Sequence, residues 1–137
     1  MFYNAFPFFH RLDSRDCVPA CLKMIARYYG KKVSLEHLRS KSYITKLGVS
    51  MLGISEAAES IGFRTRGVRL NFEALIAKAQ LPCIAHWKGN HFIVIYRVKS
   101  KRVFIVDPAI GRRVIAREEL LTNWASGNDK LRKIINA

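Results

Sequence analysis

Cysteine and histidine are the residue types that can carry nucleophilic chemistry in this chain. Cys17 stands in Asp16-Cys17-Val18-Pro19-Ala20-Cys21, where an acidic-flanked loop runs into a helical segment. A helix start offers unpaired N–H groups and a partial positive charge, and both favour a thiolate. A free cysteine titrates near 8.5 or so, whereas one at a helix start beside a histidine can fall to roughly 3.5–7.5. Cys21, one turn further in, has the pattern of a small buried hydrophobe. Cys17 is therefore the candidate nucleophile.

A thiol nucleophile needs a general base. Of the four histidines, His10 precedes the Cys17 loop and His37 lies on a polar helical stretch. His86 and His91 flank the turn Lys88-Gly89-Asn90. His91 opens one β-rich run and Asp107 closes the next. In an antiparallel hairpin these two positions emerge at the same edge of the sheet. An acid placed there fixes the histidine tautomer and turns the other ring nitrogen toward the thiol. Taken singly, a strand-end histidine and an aspartate before Pro108 are ordinary structural residues. Together with Cys17 they form a Cys-His-Asp set. A zinc site competes for Cys83 and His86, but residues three apart on a strand point to opposite faces. No metal is assigned.

The elements that must position these residues follow from periodicity. Pro19 suits the first turn of a helix, Ala20, Met24 and Tyr28 recur at helical spacing, and Gly30 stops the segment. Ser34 is expected to cap a second helix carrying Leu35 and Leu38, and Ser50 a third that ends at Gly62. Asn71 is expected to cap a fourth, with Phe72, Leu75 and Ile76 on one face. The second half reads as strands: Phe63 to Leu70, Cys83 to Trp87, Phe92 to Lys99, Val103 to Asp107 and Arg112 to Ala116. A helix from Arg117 to about Trp124 follows. A helical half packed on an antiparallel meander is an α+β architecture. Residues 1–129 are expected to form the domain, with 130–137 a basic C-terminal end that links to parts not present.

Composition sets the outer bounds. The 137 residues make one domain's worth of chain, half hydrophobic and one quarter charged, which excludes global disorder. No apolar run approaches the roughly 20 residues of a membrane span. Met1 to Phe9 lacks a basic start before an apolar stretch, so no secretory signal is read there. A soluble domain of cytoplasmic type is expected. Three cysteines, an odd number, argue against a disulfide framework. The net charge of +14 divides as +6 over residues 1–68 and +8 over residues 69–137, so the excess is not confined to a tail. Such a surface attracts nucleic acid, an anionic membrane or an acidic ligand alike. No recognisable nucleic-acid module and no Gly-rich phosphate loop is present in the sequence, so neither specific nucleic acid nor ATP is assigned.

The segment from Arg11 through Asp16-Cys17-Val18-Pro19-Ala20-Cys21 to Ile25 resembles the opening motif of the bacteriocin-processing cysteine peptidases. These are papain-like domains at the N-terminus of peptidase-containing ABC transporters. Gly48-Val49-Ser50, Ala57-Ala58-Glu59, Leu81-Pro82-Cys83-Ile84-Ala85-His86-Trp87, Asn90-His91-Phe92-Ile93-Val94 and Val106-Asp107-Pro108-Ala109 match in the same order, over nearly the whole chain. The resemblance implies a papain-like fold, with Cys17 as nucleophile, His91 as general base and acid, and Asp107 as orienting acid. It implies a leader peptide cut after a double-glycine-type site as its cargo is exported, with no cofactor for the reaction. The implied partners are that leader and the transmembrane and ATPase domains of an ABC transporter, at the cytoplasmic face of the bacterial inner membrane. The basic surface fits apposition to the anionic inner leaflet.

Two positions depart from the family pattern. The family has a glutamine six residues before the cysteine, donating to the oxyanion, where this chain has Arg11; it has glycine after the cysteine, where this chain has Val18. Arg11 can serve as an oxyanion donor beside the backbone of Cys17, or pair with Asp13 or Asp16. Reduced activity is the expectation, and a catalytically impaired domain that docks export substrates is the alternative. Substrate-binding residues are not assigned.

Overall fold

The computed structural model describes residues 6–11, 16–42, 51–69, 72–73, 81–87, 91–124 and 130–136. Three helices come first: α1 (Cys17–Tyr28), α2 (Leu35–Ser42) and α3 (Met51–Glu59). Strands β1 (Phe63–Arg69), β2 (Cys83–Trp87), β3 (His91–Lys99), β4 (Arg102–Asp107) and β5 (Gly111–Ala116) follow. Helix α4 (Arg117–Asn123) and strand β6 (Lys130–Asn136) complete the order.

Nine of the twelve residues of α1 are buried, which makes it the central helix rather than a surface one. Val18, Cys21, Leu22 and Ile25 enter a core shared with Leu38 of α2, Ile54 and Ala58 of α3, and Ile84, Phe92, Val94 and Val106 of the sheet. The helix ends where the sequence predicts, with Gly30 at φ +81°, a conformation that costs a residue without Cβ little. At the start of α2 the Ser34 hydroxyl accepts the His37 N–H at 3.1 Å, as expected of a cap. The Ser50 cap and most of the helix expected after Asn71 lie outside the described residues.

The sheet has six strands in the order β1-β6-β2-β3-β4-β5, all neighbours antiparallel. The expected meander is present as β2 to β5. Its alternating residues serve two cores: Ile84, Phe92, Val94 and Val106 face the helices. Cys83, Ala85, Ile93, Ile95, Val103 and Ile105 pack on the opposite side with Leu120, Trp124 and Phe72. Burial on both faces explains why β3 reads as a continuous apolar run.

One expectation is corrected. Lys130–Asn136 is not a basic end outside the domain but strand β6, paired with β1 over seven residues and with β2 over three. The three cations Lys130, Arg132 and Lys133 dominate the segment's composition and mask the β-branched pair Ile134-Ile135. Among the described residues, no helix is long and apolar enough to cross a membrane.

Candidate active site

Cys17 is the first residue of α1 and is buried, with 6% of its surface exposed. Asp16 occupies the cap position, where an aspartate normally accepts a helix N–H. Its side chain does not cap. Both carboxylate oxygens instead receive Arg39 of α2, Nε to Oδ1 at 2.9 Å and Nη2 to Oδ2 at 2.6 Å. Asp16 is fully buried, so this bidentate pair supplies the charge partner its burial demands. The Asp16 carboxylate thus bonds Arg39 and makes no cap bond to the first turn of α1.

The β2–β3 register pairs Trp87 with His91, and the β3–β4 register pairs Val94 with Val106. This brings the beginning of β3 and the end of β4 to one edge of the sheet, as the sequence predicts. His91 Nε2 lies 2.8 Å from Asp107 Oδ1, and the same oxygen accepts the Ala109 N–H at 2.8 Å. The Cys17 side chain also interacts with His91 and, after Asp107, helps hold the ring protonated. With Nε2 directed to Asp107, Nδ1 is the ring nitrogen left for the thiol.

The Asp107 hydrogen bond raises the His91 pKa to about 9, helped by the Cys17 side chain and opposed by burial. The ring is therefore an imidazolium at neutral pH. Burial pushes Asp107 up, but the bonds from His91 and the Ala109 N–H, with the Arg11 charge, outweigh it and hold the carboxyl below its usual range. Arg11 sits beside this acid: its backbone N–H donates to the Pro108 carbonyl at 2.9 Å. Val18, where the family pattern has glycine, places its side chain wholly in the core.

The other candidates are elsewhere. Cys21 is buried, its thiol donating to the Phe92 carbonyl at 3.6 Å, and burial first, then the charges of Cys17 and Asp107, push its pKa well up. Cys83 packs on the face of the sheet opposite to Cys17. His86 stacks on Phe92, with centroids 4.8 Å apart, on the other face from Cys83. The His10 Nδ1–H reaches the Arg11 carbonyl, and His37 Nε2 lies 3.0 Å from the Ser60 hydroxyl. Among the described residues, His91 stands between a cysteine and an acid. Sequence reasoning missed Arg39; the signal was Asp16, a lone acid before a buried helix that needed a cation from somewhere.

A model described as the peptidase C39 family matches residues 5–128. The chain belongs to the peptidase C39 family. It is 40% identical over 114 residues to the probable microcin-H47 secretion/processing ATP-binding protein MchF of Escherichia coli, covering 83% of this chain and 16% of that protein. Similarity to the lactococcin-G-processing and transport ATP-binding protein LagD of Lactococcus lactis is 32% over 120 residues, 84% of this chain and 17% of LagD. The chain thus spans about one sixth of the length of the curated relatives it matches.

A solved double glycine motif protease from an AMS/PCAT transporter, in complex with its leader peptide, superposes with a TM-score of 0.88 at 30% identity. The match covers 96% of this chain and 91% of that one. The peptidase domain of Streptococcus ComA, a bifunctional ABC transporter, gives a TM-score of 0.85 at 28% identity, over 96% and 99% of the two chains. The papain-like α+β fold of this C39 domain follows from these likenesses.

Proposed function

We propose that this C39 domain is a cysteine endopeptidase that cuts the leader of a ribosomally made precursor peptide after a double-glycine-type site. The observation that carries the proposal is His91 bonded to Asp107 and interacting with Cys17 at the start of α1. The Cys17 thiolate attacks the scissile carbonyl carbon, and the resulting oxyanion is received by N–H groups at the helix start, including that of Cys17. His91 gives its proton to the leaving amine, and the C–N bond breaks to leave a thioester on Cys17. Water then loses a proton to His91, attacks the thioester and frees the acid and the thiol. Asp107 orients the ring and stabilises its charge throughout. No metal or nucleotide enters these steps. Arg11 adds positive charge beside Asp107, and a place in the oxyanion site is proposed for it only as a second donor.

The substrate class is proposed from the leader-bound relative and from the secretion/processing names of the others. The domain is proposed to act with the transmembrane and ATPase parts of an ABC exporter, at the cytoplasmic face of the membrane. Incubating the protein with a precursor that carries a double-glycine leader, read by mass spectrometry, tests the reading. Cleavage after the small pair is expected for wild type and for Cys21→Ala, and none for Cys17→Ala, which still binds leader. Leader binding without cleavage by the wild type would support a docking domain instead.

A further inference from the structure

The far end of α1 carries a feature the peptidase reading does not use. A pocket of about 590 Å³ is lined by Lys23, Arg27, Gly30, Lys31, Lys32, Val33 and Ser34. That volume lies within the range of small-ligand sites. Four of the lining residues are cations and none is acidic. Among the described residues, no carboxylate pairs with any of the four. Like charges gathered around one concavity raise its positive potential and so attract an anion.

Two of the cations are fixed in place. The Lys23 ammonium donates to the Val33 carbonyl at 2.7 Å and lies over the Phe9 ring, 5.3 Å from its centroid. The Lys31 ammonium donates to the Ile61 carbonyl at 3.2 Å and lies over Phe63 at 4.8 Å. Each keeps two N–H donors beyond its carbonyl bond. Arg27, one helical turn beyond Lys23, adds a planar fork that matches two oxygens of one anion. Lys32 is exposed at the rim. A single carboxylate meets few of these donors, whereas a phosphate offers three or more oxygens and up to two charges.

We propose that this pocket binds a phosphate group, borne by a lipid headgroup or by a soluble phosphate compound. The proposal is independent of the Cys17 chemistry at the opposite end of α1. The test uses the full chain, labelled for amide NMR and titrated with inorganic pyrophosphate, and flotation with phosphatidylglycerol–phosphatidylcholine vesicles. Arg27→Ala/Lys32→Ala removes two pocket charges; Lys99→Ala/Lys101→Ala removes the same charge from the β3–β4 hairpin.

Saturable shifts at the Gly30, Lys31 and Ser34 amides with pyrophosphate, or saturable flotation with the vesicles, are expected. The pocket variant should bind about tenfold more weakly and the hairpin variant within about twofold of wild type. Pocket-dependent flotation identifies a lipid source, and pocket-dependent pyrophosphate binding without flotation a soluble one. Equal weakening by both variants would reduce the effect to net charge and overturn the site. So would the absence, in wild type, of both saturable amide shifts with pyrophosphate and flotation with the vesicles, a result that needs no variant to fold.

Discussion

At His91 the charge state is set by its neighbours, and in the proposed mechanism that sets a pH range for turnover. Its pKa of about 9 rests first on the Asp107 hydrogen bond. If the imidazolium is the proton donor to the leaving amine, cleavage should decline as pH rises through about 9. Asp107→Asn keeps an acceptor but removes the charge, so the alkaline limb of kcat/KM should move down toward the ordinary histidine value while measurable activity remains. Asp107→Ala should lose more rate than Asp107→Asn. A limb that stays put in Asp107→Asn would remove Asp107 as the cause of the shift. The same pair has a stability signature. A raised histidine pKa stabilises fully below about 6.5 and is lost as pH rises through about 9. A depressed aspartate pKa stabilises above its ordinary value of 3.8 and is lost as pH falls through its folded value. The melting-temperature gap between wild type and Asp107→Asn should therefore be widest between 3.8 and 6.5 and narrow toward 9. A gap of several degrees, from roughly 1.5–3 kcal/mol for a charged hydrogen bond, is expected.

Between elements, the joint that matters most for the site is α1 against α2. Asp16 precedes α1 and Arg39 lies on α2, 23 residues later, yet both carboxylate oxygens are bound to that one guanidinium. Arg39→Met should free a buried carboxylate of its Arg39 bonds next to the first turn of α1, where it can cap the N–H groups proposed to receive the oxyanion. A fall in kcat of about tenfold or more is expected, since one oxyanion donor is commonly worth more than that. Adding Asp16→Asn removes the stray charge and should recover much of the rate. A double variant as slow as Arg39→Met alone would show that the pair only holds α2 in place. Local features made the rest of this region legible from sequence. Pro19 and Gly30 bound α1, Ser34 caps α2, and the hairpin joining β3 to β4 carries His91 and Asp107 to one edge. The Asp16–Arg39 pair was not legible, because no periodicity relates an acid at one helix's cap to a cation on another helix.

Across the whole molecule, the hidden element is the sixth strand. Pairing of β1 with β6 joins Phe63 to Asn136, a separation that no window of sequence spans. Local β signals revealed β2 to β5, whose neighbours in the sheet are also neighbours in the chain, while β6 returns from the end to lie between β1 and β2. A domain ending at residue 129 and one that needs 130–136 make opposite predictions. Without β6, β1 loses its strand neighbour and β2 exposes an unpaired edge beside the buried Ile84 and Cys83. The contact of α3 with the sheet would also weaken, since α3 packs on β1 and β6. Net stabilities of domains are only about 5–15 kcal/mol, so removing a strand paired on both sides should exceed what remains. The chain truncated after Asp129 should lose its cooperative thermal transition and expose apolar surface to a hydrophobic dye, even though Cys17, His91 and Asp107 are all retained. A truncated protein that melts cooperatively within a few degrees of the full chain, and still cleaves leader, would make β6 an accessory strand and 1–129 the folding unit.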